Sequence, residues 1–196
     1  PKMFGMDEMR ADAGDNGIIP IQAENGTKVM SVNLLLDDNT APVVWRGPVI
    51  SGVVKQFWSD VAWGDVDYMF VDMPPGPGDV PLTVFQSLPI SGIIIVTSPQ
   101  ELVSMIVEKA ANMAKLMHVP VLGIVENMSY FECPSCHERH SIFGQSHIEQ
   151  IAAKYDIDTI SRLPIDPAIA QACDFGNAAS IKGDWLENMV ETIKNA

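Results

Sequence analysis

Two wholly apolar runs, "GIIIVT" at 92–97 and "VPVLGIV" at 119–125, bracket a helical repeat over 100–117. That arrangement restricts the fold more than any other feature. A strand apolar on both sides is buried on both faces, and two such strands joined by a helix pair in parallel. The expected class is α/β: a doubly wound, mainly parallel sheet with helices on both faces. Ligands in such sheets sit at the carboxyl ends of the strands.

The rest of the chain continues the alternation. "GIIPIQ" and "KVMSVNLLL" (28–36) read as strands, and 47–62 as a helix opened by Gly47-Pro48 with Val53, Val54, Phe57 and Val61 at helical spacing. "DYMFVDMPPGPGD" (67–79) reads as an apolar strand entering a Pro/Gly loop, with a short helix over 79–88. The 100–117 helix carries an apolar stripe of Leu102, Met105, Ile106, Met113, Leu116 and Met117, with Lys109 on the same spacing. Helices are expected near 145–155, over "DPAIAQACDFG" ending at Gly176, and from an N-cap at Asp184; "DTISRLP" reads as a strand. With no repeat or linker in view, 1–196 reads as one domain, with 126–144 as a cysteine-bearing loop within it.

Charge and composition exclude several functions. Asp plus Glu number 25 against 12 Lys plus Arg, a net charge of −13. Such a chain repels nucleic acid and anionic lipid at long range. No apolar run approaches the ~20 residues of a membrane span. Three cysteines make no disulfide framework, and a reducing compartment, the cytoplasm, is expected.

"YMFVDMPPGPGD" is the more informative of two motifs. A strand ending in Asp72 places a carboxylate where a nucleotide-bound Mg²⁺ is commonly held. Gly76 and Gly78 let backbone N–H groups approach a phosphate. Asp79 is placed to act on water or on a loop contact. The plainer alternative is a solvated Asp before a Pro-rich turn.

The second motif is "CPSCHERH", Cys133 to His140. A closed zinc site needs four ligands, and packing Cys133, Cys136, His137 and His140 around one ion strains an eight-residue loop. Cys-x-x-Cys-His also spells a c-type haem attachment, which needs export. A redox dithiol needs a helix start, and Pro134 with the charged run after it opens none. The fourth reading is half a site: two thiolates here and two from a second copy across a two-fold axis. Cys173 reads as core packing, and His118 and His147 as surface or helix-end residues.

In order along the chain, "VVWRGPVISG", "DYMFVDMPPGPGD", "VTSPQE", "VPVLGIVENMSYFECPSC" and "LPIDPAI" resemble the Mrp/ApbC family of MinD-like P-loop ATPases, iron–sulfur cluster carriers. The match runs from Pro1 to about Ala179. The resemblance implies an ATP- and Mg²⁺-binding homodimer that holds a 4Fe–4S cluster, or zinc in its place, on Cys133 and Cys136 and passes it to apo-proteins. It implies that Asp72 is the Walker B acid, that Gly76 and Asp79 lie in a γ-phosphate-sensing loop, and that Asn127 meets the adenine edge.

Two departures stand out. The family's Walker A loop is absent, so the phosphate cradle and a central strand are expected upstream of Pro1, and no ATP turnover is expected from this stretch alone. Pro77 replaces the usual Thr, removing one N–H donor from the sensing loop. The alternatives are a MinD/ParA-like positioning ATPase and a zinc-stabilised interaction domain. The C-terminal "DWLENMVETIKNA" has too few basic residues for an anionic membrane.

Overall fold

The computed structural model describes residues 1–36 and 47–196. In chain order the elements are β1 (Ala13–Gly14), β2 (Gly17–Ile18), β3 (Ile21–Gln22), β4 (Lys28–Val29), α1 (Gly47–Ser59), α2 (Asp79–Ser87), β5 (Ile93–Thr97), α3 (Glu101–Leu116), β6 (Val121–Glu132), β7 (Arg139–His140), α4 (Ile148–Lys154), β8 (Ile160–Pro164), α5 (Pro167–Asp174) and α6 (Glu187–Lys194). They gather into two compact units: Pro1–Pro74 with Pro167–Lys182, and Pro75–Asp166 with Gly183–Ala196.

In the first unit, β1 pairs antiparallel with β2, and β3 with β4. Gly17 is required there: its φ is 119°, and a Cβ would lie 2.3 Å from the Asp60 carbonyl oxygen. The long strand expected over 28–36 is not formed. Only Lys28–Val29 pairs, and Val32–Leu35 coils into a 3-10 turn that buries Leu34. The helix α1 stops at Ser59, and Val61 instead makes a bridge to Ile18. Residues 43–46 of the "VVWRGPVISG" motif, and the side chains of Pro48 and Leu102, lie outside the described residues.

The strand expected over 67–72 is also not formed. These residues have no regular structure, and Tyr68, Met69, Phe70 and Val71 are exposed. Apolar propensity makes a strand only against a ladder partner. No strand among the described residues pairs with this stretch.

The second unit is an α/β layer. Parallel β5 and β8 flank β6, and β7 folds back antiparallel onto the end of β6. On one face, Ile93, Ile95 and Ile124 pack against Val107, Ala111 and Ala114 of α3 and Ile148, Ile151 and Ala152 of α4. On the other, Gly123 of β6 receives Met189 of α6. Helices therefore cover both faces at β6, as expected from its uninterrupted apolar run. On β5 only one face is fully buried, since Val96 is 67% exposed.

Helix α3 turns a different side inward from the one its large residues suggest. Met105, Ile106 and Leu116 are exposed, while small Val107, Ala111 and Ala114 face the sheet. Small side chains let a helix axis approach the sheet closely. Asp184 does not cap α6 either. It lies in a turn, its carbonyl accepting the Glu187 N–H at 3.2 Å, and the helix begins at Glu187.

Gly123 is where the two layers come closest. An added Cβ would lie 2.5 Å from Met189 Cε and 2.8 Å from the Thr159 carbonyl oxygen. Gly123→Ala is expected to destabilise the second unit by about 1–3 kcal/mol through overpacking. Urea unfolding followed by circular dichroism measures it; an unchanged midpoint would show that the contact is not tight.

Candidate functional site: the thiol hairpin and the bulge beneath it

Strand β6 is 12 residues long, and its two halves do different work. Residues 121–126 lie in the sheet. The last two, Phe131 and Glu132, pair with His140 and Arg139 of β7 to make a hairpin that leaves the sheet. The ladder continues into the turn: Cys133 N–H donates to the Glu138 carbonyl at 3.0 Å, and His137 N–H donates to the Cys133 carbonyl at 2.9 Å. His137 has φ 59°, the left-handed conformation that lets the chain reverse.

This turn brings Cys133 and Cys136 together. The two cysteines are free thiols, and the Cys133 thiol is influenced first by the backbone N–H groups of Cys136 and Ser135 and then by the Cys136 thiol. Successive N–H groups of this kind favour an anion. They push the Cys133 thiol below its ordinary range. Both sulfurs reach solvent, Cys136 being the more exposed.

The hairpin is strapped from outside. Glu132 accepts Arg139 Nε at 3.1 Å and meets His137 Nδ1 at 3.4 Å, and the Arg139 and His137 partners hold its carboxyl below the usual range. The Arg139 guanidinium also stacks 4.4 Å from the Tyr130 ring centroid. At the root of the hairpin lies an open cleft of about 560 Å³, lined in part by Tyr130, Arg139, Ser141, Arg162 and Trp185.

Between sheet and hairpin, β6 carries a bulge. Glu126 pairs with Arg162 and Tyr130 with Pro164, so β6 advances four residues while β8 advances two. Met128 takes φ 55°, and its N–H donates to the Asn127 Oδ1 at 2.9 Å. Just below, Glu126 is 1% exposed and accepts the Ser129 and Ser146 hydroxyls, with Arg162 Nε at 3.5 Å. Arg162 in turn pairs with Glu149 of α4.

The expected site residues distribute as follows. Cys133 and Cys136 share one turn, and Asn127 lies exposed in the bulge of the same strand. Gly76, Gly78 and Asp79 lie at the start of α2 in the same unit. Gly76 has φ 78° with open space around it, Gly78 is the extended N-cap, and Asp79 opens the helix. Asp72 belongs to the first unit and is exposed in the irregular 67–72 stretch, not at the end of a strand. His137 and His140 are exposed on the hairpin, and His118 and His147 at helix ends, as expected. Among the described residues no group of three or more His, Cys, Asp or Glu converges to hold a metal ion. The turn thus offers two thiols, and the described residues around it do not complete a closed zinc site. The buried Glu126 network had been missed. Its only sequence trace is a carboxylate inside the apolar run "VLGIVE".

A family model described as ParA: NUBPL iron-transfer P-loop NTPase matches residues 1–195. The chain belongs to this iron-transfer P-loop NTPase family. Among curated relatives, the iron–sulfur cluster carrier protein of Methanocaldococcus jannaschii is 45% identical over 90% of this chain and 61% of its own length. That of Saccharolobus solfataricus is 42% identical over 93% of the chain and 62% of its own length. The chain spans about three fifths of these relatives. A nucleotide-binding protein from Archaeoglobus fulgidus, solved in complex with ADP, superposes with a TM-score of 0.83 at 41% identity, covering 95% of this chain and 72% of that one. The P-loop NTPase class of the fold expected from the sequence is therefore established, and the likeness to Mrp/ApbC carriers is borne out. No described helix of this family member is long and apolar enough to cross a membrane.

The N–H cradle has a measurable consequence. In metal-free protein, alkylation of Cys133 by iodoacetamide should reach half its maximal rate below the ordinary thiol value of about 8.5. The folded thiol has the lower pKa, so this contribution to stability is present above the unfolded value and fades as pH falls through the folded one. Peptide mapping across a pH series measures the profile. A Cys133 profile identical in native and urea-unfolded protein would contradict the cradle.

Proposed function

We propose that the protein containing this chain is an ATP-binding iron–sulfur cluster carrier, which holds a 4Fe–4S cluster between two copies of itself and delivers it to apo-proteins. One observation carries the reading: one hairpin turn offers two free thiols, and no group of three or more metal-ligating side chains forms among the described residues. Four thiolates hold a 4Fe–4S cluster, so a second copy of the same turn, related by a two-fold axis, completes the set. The relatives' names support the cargo, and the ADP-bound neighbour supports the nucleotide.

In this reading Cys133 and Cys136 are the cluster ligands. Asp72 holds Mg²⁺, Gly76 and Gly78 offer N–H groups to phosphate, Asp79 acts in the same loop, and Asn127 meets the adenine edge. The whole of 1–196 acts as part of one P-loop NTPase-like domain in the cytoplasm. Delivery is by ligand exchange. A thiol of the recipient gives up its proton and bonds to iron, the carrier's Fe–S bond breaks, and the released cysteine takes a proton. No electron changes hands. A cluster near the tip of an exposed hairpin is accessible to that exchange. Zinc can occupy the same four thiolates when the protein is made or purified in air.

The experiment is anaerobic reconstitution of the full-length protein with iron and sulfide. Wild type should turn brown. Cys133→Ala and Cys136→Ala should each load no cluster, while their affinity for ADP, compared with that of cluster-free wild type, stays within about two-fold. Cluster content equal to wild type in either variant would refute the assignment. A wild type that takes up zinc alone under these conditions would favour a zinc-stabilised interaction domain.

A further inference from the structure

The bulge in β6 separates Asn127 from Cys133 by only five intervening residues of one strand. This inference rests on the carrier reading, with Asn127 at the nucleotide and Cys133 at the cluster. A bulge leaves a residue of the strand out of the ladder and locally bends and twists the strand. Here it is held in a costly form. Met128 is not glycine, yet it takes φ 55°, and such a conformation persists only when its surroundings enforce it.

The enforcing groups are identifiable. The Glu126 carboxylate accepts the Ser129 hydroxyl at 2.5 Å, closing the two ends of the bulge on each other. The other carboxylate oxygen accepts the Ser146 hydroxyl from the turn before α4. Arg162 of β8 completes the shell and ties it to Glu149 of α4. Above the bulge, the Tyr130 carbonyl accepts the Ile165 N–H at 2.6 Å, which fixes where the hairpin leaves the sheet. Inside it, Asn127 Oδ1 is engaged by the Met128 N–H. A base drawn to the Asn127 carboxamide competes with that bond and so acts on the bulge itself.

We propose that the Glu126–Ser129 clasp makes the β6 bulge the link through which nucleotide at Asn127 alters the grip of the Cys133–Cys136 hairpin on its cargo. Glu126 and Ser129 are positioning residues: neither touches nucleotide or cluster. Glu126 is 1% exposed, and its hydrogen bond from Ser129 spans the bulge while its ion pair with Arg162 reaches across to β8.

The test uses full-length, cluster-loaded protein with excess EDTA as acceptor, and follows the loss of visible absorbance with and without saturating ADP or a non-hydrolysable ATP analogue. In wild type the release rate should change by about five-fold or more between nucleotide-free and nucleotide-bound protein. In Ser129→Ala that ratio should fall to near one, while cluster content, ADP affinity and thermal midpoint stay near wild type. Ser129→Thr, which restores a hydroxyl, should recover the ratio. Glu126→Gln tests the other half of the clasp and should also lower the ratio; Ser129→Ala decides the matter if that variant fails to fold. A ratio retained in folded Ser129→Ala, or no nucleotide effect in loaded wild type, overturns the link while leaving the carrier reading intact. A wild type that loads no cluster overturns the carrier reading instead.

Discussion

A hairpin turn of six residues can bring two sulfurs to one point, but it cannot close a coordination sphere around metal. That limit governs the rest of the molecule. The backbone of 133–138 is committed to the turn: the Cys133 N–H donates to the Glu138 carbonyl and the His137 N–H to the Cys133 carbonyl. The two neighbouring histidines face solvent, and of the two nearby carboxylates Glu132 is occupied by Arg139 and His137 while Glu138 is exposed. In the proposed reading, a four-thiolate cargo held here takes its other two ligands from a second copy, and that sharing suits a carrier.

Strand β6 gives the thiol turn its base in the sheet. Its first half is buried between β5 and β8, covered by α3 and α4 on one face and by α6 on the other. Its second half projects as the thiol hairpin. The carboxylate of Glu126 sits where the two halves meet. There it meets three partners, the Ser129 and Ser146 hydroxyls and the Arg162 guanidinium. The junction between sheet and hairpin is therefore a committed part of the structure.

Much of this was legible in the sequence, and the exceptions have physical causes. Strands β5, β6 and β8 and helices α3, α4 and α5 were placed because their patterns are local: apolar runs, helical spacing and a terminal glycine. The pairing of Cys133 with Cys136 was legible from spacing alone. The 67–72 stretch was not, because "YMFV" has strand propensity but propensity is realised only beside a ladder partner. The buried side of α3 was misread because large apolar residues mark a core by size, whereas Val107, Ala111 and Ala114 mark it by how closely they let the helix approach. Glu126 was passed over because one carboxylate in an apolar run carries no sign of Ser129, Ser146 and Arg162, of which only the first is near it in sequence.

Native mass spectrometry of the full-length, anaerobically reconstituted protein tests the central claim most directly. The account predicts one 4Fe–4S cluster for every two chains, with the dimer falling to metal-free monomers when the cluster is removed. A single chain that retains a complete cluster, or a fully coordinated zinc ion, would contradict it.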